Sequence, residues 1–127
     1  MSEQQSPNDE DLFYQSEDGL TLYARDYPAP SPDAQCVLLM HGLSRNSRDF
    51  EVLADHLSTR YRVLVAEQRG RGKSEWDTDP TRYAIPHYVR DMFALLQAAS
   101  VRRVATVGTS MGGLMAMVMN SAMPGVF

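Results

Sequence analysis

VATVGTSMGGLMAMVM (residues 104–119) changes character at its centre. Residues 104–107 form a short apolar run rich in β-branched side chains, the composition of a buried strand. From Ser110 to Met123 the chain is apolar on nearly every side, which predicts a helix buried on several faces. Between the two lies Gly108-Thr109-Ser110-Met111-Gly112. A sharp strand-to-helix turn forces its central residue into a strained conformation and lifts that side chain above the sheet. The residues two before and two after must be small, because strand and helix backbones approach closely there. Gly108 and Gly112 meet that demand, and Gly113 extends it. The pattern predicts Ser110 as a nucleophile and the Met111 amide as a donor to an oxyanion.

Upstream, the same alternation repeats. Residues 35–40 and 61–66 are apolar runs that read as strands buried on both faces. Between them, Phe50, Leu53, Ala54 and Leu57 make one apolar stripe on a helix expected over 47–59. Pro86 opens another helix, with Ile85, Tyr88, Val89, Met92, Leu95, Leu96 and Ala99 facing inward. Strand, helix, strand, helix, strand, helix implies an α/β fold with a parallel sheet and right-handed crossovers. Ahead of it, residues 12–16 and 20–25 flank Glu17-Asp18-Gly19, a hairpin signal, and alternation in the second run predicts one buried face. Residues 1–10 are polar and expected to be a disordered tail, leaving 11–127 as a single domain.

Composition narrows the function classes. The 127 residues are 43% hydrophobic and 22% charged, with a net charge of -4, ordinary values for a globular domain. Eight acidic residues and only Arg25 fall within residues 1–33. The remaining eleven basic side chains exceed the acidic ones by three and form no run, so no nucleic-acid footprint is predicted. The longest apolar run, residues 114–119, has six residues, far short of a membrane span. Cys36 is the single cysteine and reads as a packing residue; its solitude and the acidic N-terminus predict a cytoplasmic location. No cluster has metal-ligand spacing, and neither a metal nor another cofactor is expected.

Two further turns fall at expected strand ends. At His41-Gly42 the glycine lets the backbone turn so that the Leu43 amide becomes a second oxyanion donor. His41 is expected to hold this loop by hydrogen bonding, the alternative being a base. Arg69-Gly-Arg-Gly-Lys-Ser74 imitates a phosphate loop, but Glu67 stands where that motif needs glycine. A solvated turn at the rim of the site is expected instead. His56 and His87 are expected at the surface.

VLLMHGLSRNSRDFEVLADHLS, YRVLVAEQRGRGKSEW and VATVGTSMGGLMAM, in that order and spacing, resemble the α/β-hydrolase superfamily. The likeness is to the N-terminal portion of its serine esterase, enol-lactonase and haloperoxidase-like branch. It implies a strand order 1-2-4-3-5, Ser110 as nucleophile, Leu43 and Met111 as oxyanion amides, and an ester or lactone substrate. Glu67 stands where many relatives have aspartate. Serine at 110 argues against branches that attack with a carboxylate. The resemblance also implies later strands, a lid, and then an acid and a histidine, in the order Ser, Asp or Glu, His. None of the three histidines follows Ser110, so this incomplete domain is predicted to be inactive, or nearly so. Two alternatives remain: a non-catalytic half-domain that associates through its open sheet edge with itself or a complementary chain, and a site rebuilt around His41 or His87.

Overall fold

The sequence pattern becomes a five-stranded sheet with three helices in this computed structural model, which describes residues 9–42 and 50–126. In chain order the elements are β1 (Glu10–Gln15), β2 (Thr21–Tyr27), β3 (Cys36–Met40), α1 (Glu51–Leu57), β4 (Arg62–Glu67), α2 (Ile85–Ala98), β5 (Ala105–Gly108) and α3 (Met111–Ala122). The sheet order is β1-β2-β4-β3-β5, as expected. β1 and β2 form the antiparallel hairpin, with Gly19 at φ 91° in its turn, and β2 runs antiparallel to β4. β3 pairs in parallel with β4 on one side and β5 on the other.

Helices on both faces explain why β3 and β4 lack polar alternation. Leu38, Met40, Leu64 and Ala66 pack towards α2 and α3, with Met92, Leu95, Met115 and Met119. Val37, Leu39, Val63 and Val65 face the other way, against Phe50 and Ala54. α2 ends in a left-handed cap: Ser100 lies at φ 60°, and the Val101 amide donates back to the Leu96 carbonyl at 2.8 Å.

Several expectations need correction. β2 is buried on both faces, not one: Tyr23 and Arg25 are buried as well as Leu22 and Ala24, and Arg25 lies 3.8 Å from Glu51 of α1. The Tyr23 ring is covered by Phe13 and Lys73, and its hydroxyl donates to Asp11 at 2.6 Å. On α1, Phe50 and Ala54 are buried, but Leu53 is exposed; residues 47–49 of the expected helix lie outside the described residues. β1 begins at Glu10, inside the expected tail, of which residues 1–8 are outside the described set. As the incomplete domain implies, α3 is covered on one face only: Met111, Gly112, Met115 and Met119 are buried, whereas Leu114 and Met117 are 55% and 64% exposed. Its outer face has no neighbour among the described residues, and β5 is the open edge of the sheet.

Candidate active site

Ser110 sits at the carboxyl end of a parallel strand and at the start of a helix. Its backbone adopts φ 54°, ψ −115°, a region that L-residues rarely enter and that costs about 1–3 kcal/mol. The surrounding turn holds it there. Thr109 donates its amide to the Met40 carbonyl at 3.2 Å, tying the turn to the end of β3. The Ser110 carbonyl accepts from Gly113 at 3.0 Å and Leu114 at 3.2 Å. A side chain at Gly108 would collide with the Gly112 backbone, and one at Gly112 would collide with the Met40 carbonyl. Gly113 is different: an added methyl would lie 3.4 Å from the Gly108 oxygen, an ordinary contact, so its smallness is not required. Ser110 is exposed and Met111 is buried beside it. Met111, the first residue of α3, has its amide outside the helical ladder. The other expected donor, Leu43, lies outside the described residues, although Gly42 before it is buried.

His41 follows β3 directly and is fully buried. One ring nitrogen, Nδ1, is 2.6 Å from the Gly42 carbonyl, and the other, Nε2, accepts the Gln68 amide at 3.0 Å. An amide donor on Nε2 and a carbonyl on Nδ1 select the neutral tautomer protonated at Nδ1. The ring is a strut between the ends of β3 and β4, and neither nitrogen can accept a proton from a serine without breaking a bond. His56 is exposed on α1, and His87 is partly buried near the start of α2.

The Arg-Gly-Arg-Gly-Lys turn is not the solvated rim that the sequence predicts. The Glu67 carboxylate folds against Gly72, at φ 54°, and accepts the Lys73 amide at 2.8 Å. Glutamate in place of aspartate therefore still binds the turn. Ser74 donates to the Glu67 carbonyl and accepts the Tyr23 amide. Gly70, Arg71, Lys73 and Ser74 all spend their amides on protein acceptors, which leaves no cradle for a phosphate.

At the centre of this packing lies Arg69, 1% exposed. Its guanidinium grips Asp91 of α2 at 2.6 and 2.8 Å, Asp77 at 2.8 Å and Asp18 of the hairpin turn at 2.9 Å. Arg82 completes the cluster on Asp77 at 2.7 and 2.9 Å. Sequence reasoning missed it because the aspartates are scattered over seventy-odd residues. The one available signal was Asp91, a carboxylate adjoining the apolar stripe of α2.

The cluster sets an acid response. Hydrogen bonds from Arg82 and the Asp79 amide hold the Asp77 carboxyl down to about 2, and Arg69 holds Asp18 well below the usual range. Both are depressed below an unfolded value of about 3.9, so their stabilisation is complete above about pH 4 and fades as pH falls towards 2. Burial pushes Asp91 up and opposes this in part. The urea midpoint should fall steeply below about pH 4, and more shallowly in Asp77→Asn. A midpoint flat through that range would contradict the assignment.

A groove of about 1030 Å3 opens at the other end of the sheet, along the amino ends of β3, β4 and β5, lined by Cys36, Arg62, Arg103, Ala105 and Met117. Ser110 is not part of it. Cys36 is buried as expected, and burial pushes its thiol up to about 11. Among the described residues no group of His, Cys, Asp and Glu is arranged to hold a metal ion, and no helix is long and apolar enough to cross a membrane.

Comparison with known proteins agrees with this architecture. The family profile for the alpha/beta hydrolase fold matches residues 35–122. A solved alpha/beta hydrolase from Novosphingobium aromaticivorans is 40% identical with a TM-score of 0.90, over 97% of this chain and 43% of that one. The 3-hydroxybutyrate-oligomer hydrolase of Cupriavidus necator is 47% identical over 77 residues, 61% of this chain and 26% of that protein. An epoxide hydrolase from Vigna radiata shares the fold alone, at 21% identity and a TM-score of 0.87, over 97% of this chain and 37% of its own. The chain thus spans less than half the length of these relatives. With β3, α1, β4, α2, β5 and α3 all inside the matched region, in the order and register just described, the chain belongs to the α/β-hydrolase fold family.

Proposed function

We propose that this is the nucleophile-bearing part of a serine hydrolase of carboxylic esters or lactones. Ser110 attacks the acyl carbon, and the amides of Leu43 and Met111 receive the developing oxyanion. Collapse of the tetrahedral intermediate expels the alcohol and leaves an acyl-serine, which water then cleaves. His41, Gly42, Gly108 and Gly112 shape the loop and the turn around this centre. The observation that carries the reading is the positive φ of Ser110 at the junction of β5 and α3. Such strain persists only where the surroundings enforce it.

Proton transfer needs a base. His41 is committed to Gly42 and Gln68 and does not serve, and we assign the base and its acid partner to the later part of the domain that the family order Ser, acid, His implies. The 127-residue chain alone should therefore turn over p-nitrophenyl acetate at least about a thousandfold more slowly than a complete hydrolase of the family. In a chimera that adds the later part of the Novosphingobium hydrolase, and with it a base, a fluorophosphonate should label Ser110, and Ser110→Ala should remove the label. Labelling that survives the substitution, or maps to another residue, would refute the assignment. The kinship with the Cupriavidus enzyme makes short 3-hydroxybutyrate oligomers the first substrates to try.

A second reading, association without catalysis, is favoured by the exposed apolar side chains of α3.

A further inference from the structure

We propose that Arg71 receives the free carboxylate of the substrate, an inference that rests on the hydrolase reading above and narrows its substrate to short hydroxy-acid oligomers with an ionised end.

Arg71 differs from the other arginines set into the protein. Arg25 pairs with Asp9 and Glu51, Arg62 with Asp26, Arg69 with Asp18, Asp77 and Asp91, and Arg82 with Asp77. Arg71 is half-buried too, yet no carboxylate pairs with it among the described residues. The acidic groups around its turn are spent elsewhere. Glu67 accepts the Lys73 amide, Glu75 accepts the Thr21 amide, and Asp91 is gripped by Arg69. A guanidinium drawn partly out of water without a counter-ion is costly, and a carboxylate carried in by a ligand relieves that cost.

The side chain is also fixed in place. Its guanidinium lies over the Tyr83 ring, 5.8 Å from the centroid, and over the Tyr88 ring at 5.3 Å. Nη1 donates to the Arg69 carbonyl at 3.0 Å and to the Tyr88 hydroxyl at 2.9 Å. Nε and Nη2, which form the other edge of the fork, make no hydrogen bond among the described residues. Two donors in one held plane match the two oxygens of a carboxylate. Little side-chain freedom remains to be lost on binding. Gly70 permits the arrangement: it lies at φ 77°, and a side chain there would collide with the Tyr83 ring.

The turn stands at the same end of the sheet as the serine. Met40 of β3 pairs with Ala66 on one side and Gly108 on the other, so the ends of β4 and β5 are level, roughly 10 Å apart by two strand spacings. Past the end of β5, Ser110 opens α3; past the end of β4, the Arg71 amide folds back onto the Gln68 carbonyl at 3.0 Å. Tyr88, which carries the guanidinium, lies in the first turn of α2 and shares a core face with Met111.

That separation selects the ligand. The acyl part of a simple ester has no charge to place across it. A 3-hydroxybutyrate oligomer, the substrate class named above, ends in a carboxylate, and each added unit carries that group further from the bond under attack. The amides of the turn are already bonded within the protein, so the side-chain fork is what remains to bind an anion.

The test titrates the full 127-residue chain with the linear 3-hydroxybutyrate trimer, as free acid and as methyl ester, and follows the Arg71 Nε–H signal by NMR. The acid should shift that signal and bind about tenfold more tightly than the ester, a preference that salt diminishes. Arg71→Met should erase the preference, and Arg71→Lys, which keeps the charge without the fork, should retain only part of it. The amide spectrum of each variant verifies its fold. Equal affinity for acid and ester, an unmoved Arg71 signal, or a preference that survives Arg71→Met would each overturn the proposal. Ser110→Ala should bind the acid as tightly as the parent, so the titration does not depend on catalysis. Esterase activity of the chimera that ignored Ser110→Ala would sink the hydrolase reading, while the acid preference would still uphold Arg71 as a carboxylate site.

Discussion

Arg69→Met is expected to lower the unfolding free energy by about 3–5 kcal/mol, the loss seen when one member of a buried ion cluster is removed. The reason is what remains behind. Asp77 and Asp91 each have side chains only 2% exposed, and Asp18 closes the cluster from the hairpin turn. Without the guanidinium, buried carboxylates face one another and must either take up protons or admit water. The loss is large against the 5–15 kcal/mol by which domains are typically stable. Urea denaturation at neutral pH measures it. Adding Asp91→Leu to Arg69→Met should recover part of the deficit, because it removes one of the stranded charges. Lys73→Ala, which loses an exposed contact with Asp11 at 3.7 Å and its place over the Tyr23 ring, should change stability by only about 1 kcal/mol. Equal losses in Arg69→Met and Lys73→Ala would mean that the cluster does not hold the hairpin, the turn and α2 together.

The second large effect separates two adjacent glycines. Gly112→Ala should destabilise by about 3 kcal/mol or more, the upper end of the overpacking range, although alanine favours helix. Its new methyl would press on the Met40 carbonyl, a backbone atom that cannot rotate away, and also lie 3.1 Å from the His41 carbonyl. Met40 is the acceptor for the Thr109 amide, so relief of the clash would shift the residue before Ser110. Slower labelling of Ser110 should accompany the lower melting temperature. Gly113→Ala has the opposite sign, a gain of up to about 1 kcal/mol, because only an ordinary contact awaits its methyl. Similar melting temperatures for the two variants would mean that the close approach of β3 and α3 is not what Gly112 serves.

The elements most legible in the sequence were those whose pattern is local. The apolar runs of β3 and β4, the proline opening α2 and the Gly19 turn each announce themselves within a few residues. The elbow was legible for the same reason: Gly108 and Gly112 answer to one short turn. What escaped was set by neighbours distant in the chain. Tyr23 and Arg25 look like solvent-facing residues of a hairpin, but Phe13 and Lys73 cover the Tyr23 ring and Glu51 of α1 lies 3.8 Å from Arg25. Leu53 fits the stripe of α1, yet Phe50, Ala54 and Leu57 pack against the sheet while Leu53 stays exposed. Gly113 seemed part of the elbow's requirement, but a glycine's necessity depends on what stands opposite it.

By itself the sequence determined the run of strands and helices and the presence of a serine at a strand-to-helix turn, while its resemblance to a family implied the strand order. Hydrophobic periodicity and turn chemistry act over a few residues, so one strand of text contains them. Tertiary structure alone decided that Arg69 is a buried centre gripping three aspartates rather than part of a solvated rim. It also decided which partners His41 takes, the Gly42 carbonyl on one nitrogen and the Gln68 amide on the other. Those are facts about which side chains meet across the sheet. A charge's partner and a surface's cover exist only once the chain has folded.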